Sequence, residues 1–271
     1  MKYVMKPFIL ALLLFGAMAV PACAHSLWVE SNDVAEAGDL QRVYSLYGHA
    51  GSSSSMNVPL MDATYLLTPE GQRLDLKMEK GNWLAGFGWM EYLFKDVVLH
   101  WPGDYMFVAA RSPSVYDPAW GGSSPSNPRL GYSFAQMVIH AGNQSGESWD
   151  AGLPLKLQPG QAPYQVKIGD NVTFQVEYDG KPVNASYSAS YWTWDAHDGD
   201  EVQTGFAGDQ GSFQVNFSQA GPWQVGVSTD IPGQGNWTAT YDHSAGRFKS
   251  GDQVPYNTTR YSTVMSIWVK K

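Results

Sequence analysis

Short runs that alternate apolar with polar residues, broken every 8–12 residues by turn signals, constrain this chain more than any other feature. Val172-Thr-Phe-Gln-Val-Glu-Tyr178 alternates and then meets Asp179-Gly180-Lys181-Pro182. Gly211-Ser-Phe-Gln-Val-Asn-Phe217 alternates likewise, and Trp223 to Val227 follows the turn Ala220-Gly221-Pro222. Tyr105 to Ala110 follows the turn Trp101-Pro102-Gly103-Asp104. A period of two with no long helical period predicts an all-β protein of short antiparallel strands with one wet face.

Its stability has to come from packing. The one cysteine, Cys23, lies in an N-terminal segment with the marks of an export signal: basic Lys2 and Lys6, an apolar stretch from Phe8 to Val20, and small residues at Ala22 and Ala24. That stretch is short of the roughly 20 residues needed to cross a bilayer. Cleavage after Ala24 would leave residues 25–271 without cysteine, hence without disulfides, outside the cytoplasm and in the periplasm. Val20-Pro21-Ala22-Cys23 also resembles a lipoprotein box, in which Cys23 would be lipidated and retained.

A Gly/Ser/Asn-rich stretch from Ala141 to Gly152, followed by Pro154, Pro159 and Pro163, marks a boundary. The expected organisation is a signal peptide over 1–24 and two β-sandwich domains, 25–150 and 151–271, the second immunoglobulin-like with a closing strand Ser262 to Val269. Pro113 to Arg129, with four prolines, reads as a long irregular loop.

Without Lys2 and Lys6, 15 basic residues face 25 acidic ones, a formal charge of −10 that disfavours nucleic acid and anionic membrane and suits a cation ligand. No glycine loop precedes a helix to cradle phosphate, so no nucleotide is expected. There is no Gly-x-Ser-x-Gly elbow, and Asp198-Gly199-Asp200-Glu201 lacks the spacing of a calcium hand.

The same cut would make His25 the first residue. A terminal histidine offers its α-amino nitrogen and its imidazole Nδ1 to one ion together, which a histidine inside a chain cannot do. If residues 25–30 and 42–49 form the first two strands around the Gly38-Asp39 turn, and either pair antiparallel or face each other across the sandwich, His25 and His49 lie at one edge as three nitrogen donors, a set that suits Cu(II), Ni(II) or Zn(II). His243, in Tyr241-Asp242-His243, is the candidate for a further ligand. His197, among the carboxylates of residues 195–201, is either a solvated turn or a metal-capture loop. His100 and His140 read as structural.

Ala24-His25-Ser26-Leu27-Trp28, Gly48-His49, the block from Gly152 to Tyr187 and the strand Arg260 to Thr263 together resemble a bacterial secreted family of nickel- and cobalt-uptake accessory proteins. The resemblance implies periplasmic location, β-sandwich architecture, nickel or cobalt as the metal and a membrane metal transporter as partner. One departure is that Ala50-Gly51-Ser52 follow Gly-His where the family commonly has proline and an acidic residue.

Two other classes fit the residues. Eleven tryptophans and fifteen tyrosines, with Trp83, Trp89, Trp120, Trp192, Trp194 and Trp237 as the candidate platform, would serve a carbohydrate-binding module, although core filling accounts for most aromatics in a disulfide-free sandwich. A terminal-histidine copper brace would serve an oxidative enzyme. The expectation is a metal binder and not an enzyme.

Overall fold

The computed structural model describes residues 26–48, 59–85, 88–122, 124–146, 149–191 and 202–271. Among these there is no α-helix, and no helix is long and apolar enough to cross a membrane. The first half contributes β1 (Ser26–Glu30), β2 (Val34–Ala35), β3 (Leu40–Gly48), β4 (Met61–Leu67), β5 (Arg73–Asp75), β6 (Glu79–Ala85), β7 (Gly88–Val98), β8 (Gly103–Tyr116) and β9 (Arg129–Ala141). The second contributes β10 (Leu155–Pro159), β11 (Asn171–Tyr178), β12 (Lys181–Pro182), β13 (Ser186–Tyr191), β14 (Val202–Phe206), β15 (Ser212–Asn216), β16 (Gly221–Thr238) and β17 (Gln253–Val269).

These strands form two sandwiches that share a sheet. One outer sheet is β1-β3-β7-β6, and the other is β10-β11-β12 with β15 also on β11. Between them runs one sheet in the order β14-β13-β16-β17-β9-β8-β4-β5, with β2 also on β9. In the second half β10, β11 and β15 face β17, β16, β13 and β14, the two-sheet arrangement of an immunoglobulin-like sandwich.

The outer sheets lie on opposite faces of the shared one. Partners in a ladder point to the same side, so on β9 and β17 Ala135 goes with Val264 and Gln136 with Met265. Val264 packs against Trp28 and Leu46 of the first outer sheet, whereas Gln136 Nε2 donates to Leu157 O at 2.8 Å and Thr263 Oγ1 to Leu155 O at 2.6 Å, both on β10. Leu27, Val29, Phe107, Met137 and Ile139 build the first core; Phe174, Phe217, Trp223, Met265 and Ile267 build the second.

The runs named from sequence pair antiparallel, as expected, while β9 pairs in parallel with both β17 and β2. Two expectations change. The Pro113 to Arg129 tract is mostly ordered: β8 runs to Tyr116, and Asp117 then caps a 3-10 turn over Pro118–Gly121, its Oδ1 accepting from Ala119 N at 3.0 Å and Asn127 N at 2.9 Å. The closing strand begins at Gln253, not Ser262, because β16 absorbs Pro232 to Gly235 as an irregularity and keeps pairing with it to Thr238.

Candidate functional site

The sequence-based candidates divide at once. His25, His49 and His197 lie outside the described residues, and His243 lies inside them. What is described around the first two is the edge where β1 begins and β3 ends. Leu27, Trp28 and Val29 are all buried, Trp28 between the outer sheet and Val264, so β1 is fixed on both faces. The register of the hairpin pairs Ser26 with Gly48, the chain neighbours of His25 and His49. Ser26 Oγ is buried there with no hydrogen-bond partner.

Tyr47 anchors this edge to the shared sheet. Arg111 Nη1 donates to its hydroxyl at 3.0 Å. Burial pushes the Tyr47 phenol up, Arg111 opposes that, and Tyr241 is close enough to add to the rise.

His243 itself is clamped by aromatics. Its ring lies edge-on to Trp120 at 5.4 Å and to Phe248 at 5.0 Å between centroids. Burial, with a smaller contribution from Arg247, pushes its pKa down, which keeps the ring neutral. Nδ1 accepts from Ala245 N at 3.1 Å, so the ring proton sits on Nε2. In this conformation the outward nitrogen is a donor; ligating a metal through it requires giving up the Ala245 contact. Among the described residues, no three His, Cys, Asp or Glu side chains are grouped to hold an ion.

His140 serves structure, as expected. Its Nδ1 lies 2.6 Å from Asp104 Oδ1 and its ring stacks on Tyr164 at 4.1 Å. Asp104 Oδ2 also accepts from Gly146 N at 2.8 Å, Trp149 Nε1 at 2.8 Å and Tyr164 OH at 3.2 Å. Sequence reasoning missed this hub because Asp104 looks like an ordinary turn residue after Pro102-Gly103. His100 packs edge-on to Trp101 at 5.5 Å. Of the aromatics named for a sugar platform, Trp237 is buried against Phe248 and Tyr241, and Trp120 is half-buried beside Tyr116. Core packing, not display, uses Trp237.

A family model described as a domain of unknown function (DUF4198) matches residues 22–231. No curated protein matches the chain. Among solved structures, Escherichia coli alpha-2-macroglobulin activated by porcine elastase is 14% identical with a TM-score of 0.26, over 91% of this chain and 20% of that one. The tandem V-type regions of VCBP3, a v-region-containing chitin binding protein, are 10% identical with a TM-score of 0.22, over 89% of this chain and 99% of that one. A marsupial T cell receptor is 11% identical with a TM-score of 0.20, over 89% and 73%.

Proposed function

The chain belongs to the DUF4198 family, and from the geometry of the β1/β3 edge we propose that it is a periplasmic binder of a divalent transition ion, nickel or cobalt ahead of copper or zinc, which it supplies to a membrane uptake system. The pairing of Ser26 with Gly48 carries this reading. His25 and His49 are the chain neighbours of that pair, and the two together are the proposed holders of the ion. Export and cleavage after Ala24 would then give one ion the His25 amine, the His25 imidazole and the His49 imidazole.

His243 is a weaker member of the set. Its ring stays neutral, yet it must release Ala245 N to offer a lone pair. His197 remains a candidate on sequence grounds alone.

The test is calorimetric titration of protein beginning at His25 with nickel, cobalt, copper and zinc, beside a control carrying one extra N-terminal residue. The extension is expected to weaken binding at least tenfold and His100→Ala to leave it unchanged; equal effects would overturn the terminal chelate. His49→Ala is expected to cost more affinity than His243→Ala. Because the amine and imidazoles bind only when deprotonated, with ordinary pKa values of about 7.7–8.0 and about 6.5, affinity is expected to fall steeply below about pH 6.

A further inference from the structure

We infer that the shared sheet carries an oxyanion site, centred on Gly131, for a small doubly charged group of the phosphate kind. The inference is independent of the metal reading. Register places nine residues of β8, β9 and β17 on one face as three rows. Arg111, Ser133 and Ser262 form the first, Ser114, Gly131 and Arg260 the second, and Tyr116, Arg129 and Thr258 the third. Side-chain contacts bear out the common face: Ser262 Oγ donates to Ser133 Oγ at 3.2 Å and Arg111 Nη2 to Ser114 Oγ at 3.4 Å.

The middle of this patch is a floor without a side chain, ringed by hydroxyls and guanidiniums. A Cβ built on Gly131 would meet only Ser114 O, at an ordinary 3.6 Å, so no steric need for glycine explains the residue. Asp230 on β16 supplies the facing carboxylate. Arg260 grips it through Nε at 2.7 Å and Nη2 at 2.8 Å, while Arg129 Nε stands 3.8 Å away. Burial raises the Asp230 carboxyl, but the two guanidiniums outweigh it and hold the group below its usual range.

Arg129 is the telling residue. Its Nε is buried and has no hydrogen-bond partner, although its side chain is 25% exposed overall. Its ion pair with Asp230 at 3.8 Å is too long to be a hydrogen bond; a buried N–H of a charged group without one is costly, and a ligand oxygen would supply it. Among the described residues of these rows and their partner Asp230, three guanidiniums stand against one carboxylate, on a chain whose formal charge is −8. Planar guanidinium forks and serine hydroxyls are the donors that a tetrahedral oxyanion takes.

The experiment titrates inorganic phosphate into chelator-treated, metal-free protein by calorimetry, with malonate as a dicarboxylate comparison. Saturable phosphate binding is expected. Arg129→Gln should weaken it at least tenfold, and Gly131→Val, which fills the floor, should abolish it. No saturable binding, variants within twofold of the parent, or tighter binding of malonate than phosphate would each overturn the site. Should either variant fail to fold, phenylglyoxal labelling of the parent protein decides: phosphate is expected to protect the Arg129 peptide, and equal labelling with and without phosphate would overturn the inference. Because metal is absent throughout, the result is separable from that of the terminal chelate.

Discussion

Asp104 shows how much one side chain can organise in a fold without disulfides. It is almost fully buried and accepts from His140, a backbone amide, an indole and a phenol. Hydrogen bonds to a charged acceptor are the stronger kind, and removing one member leaves the others buried without their partner. Asp104→Asn is therefore expected to destabilise the protein by about 3 kcal/mol in urea unfolding, with an unchanged slope. Glu30 works in the opposite sense. It borders a cavity of about 10 Å³ with Gln224 and Ser266, and burial pushes its pKa to about 7 against the pull of a 2.9 Å hydrogen bond from Trp28 Nε1. A carboxyl raised in the folded state keeps its proton while the unfolded chain loses one. Stability is thus highest below the unfolded value of 4.5 and falls as pH rises from there to about 7. Glu30→Gln is expected to flatten that segment of the stability–pH curve; a parent and variant with parallel curves between pH 5 and 7 would contradict the assignment.

At the scale of elements, the alternating runs of β11 and β15 were readable because one face of each is wet, whereas Tyr105 to Ala110, expected to have a wet face, is buried on both faces because the shared sheet is covered from both sides. Val172, Phe174 and Val176 point into the second core, as their spacing of two requires, and Phe213 and Val215 do the same on β15. The turn after β11 was equally plain, with Asp179 and Gly180 both at positive φ. What could not be read was pairing between distant segments. Nothing in Arg129 to Met137 or Thr258 to Ser266 announces a parallel ladder between them, since a strand's own residues do not name its distant partner. The same limit hid the oxyanion patch, whose three arginines come from three strands, and the Asp104 hub. At the β1/β3 edge the two strands were legible from Leu27 to Val29 and from Val43 to Leu46, but their pairing within one sheet was not, since facing each other across the sandwich fitted the sequence equally well. The donor nitrogen of His243 was not legible either, because a single backbone amide decides it. Gly211 gives this scale its test. It has φ +61°, and a Cβ there would lie 2.3 Å from Val176 O, whose amide in turn donates to Gly211 O at 2.7 Å. Backbone atoms cannot swing aside, so Gly211→Ala is expected to cost about 2 kcal/mol or more. A variant melting with the parent would show that the β11–β15 approach is looser than this.

Across the whole molecule, the consequence of a shared sheet is cooperativity. Two domains tied only by a linker unfold independently, whereas here nine consecutive register pairs join β9 to β17 through the middle of the protein. Cross-connections reinforce that seam on both faces: Gln136 and Thr263 hold β10 through its carbonyls, and Val264 carries Trp28. Near the C-terminus Lys270 Nζ reaches Asp33 in the first half at 2.6 and 2.7 Å, closing the chain on itself. Neither core can open without exposing a face of the sheet that the other half uses. Calorimetry is therefore expected to record one transition, with the calorimetric enthalpy equal to the van't Hoff value. A seam substitution such as Gln136→Ala, which orphans the Leu157 carbonyl at a cost of about 1–3 kcal/mol, should lower that single transition by roughly 2–12 °C without splitting it. Two resolved transitions, or a substitution in the first half that shifts only part of the heat, would mean that the β9–β17 ladder does not couple the halves and that each sandwich stands alone.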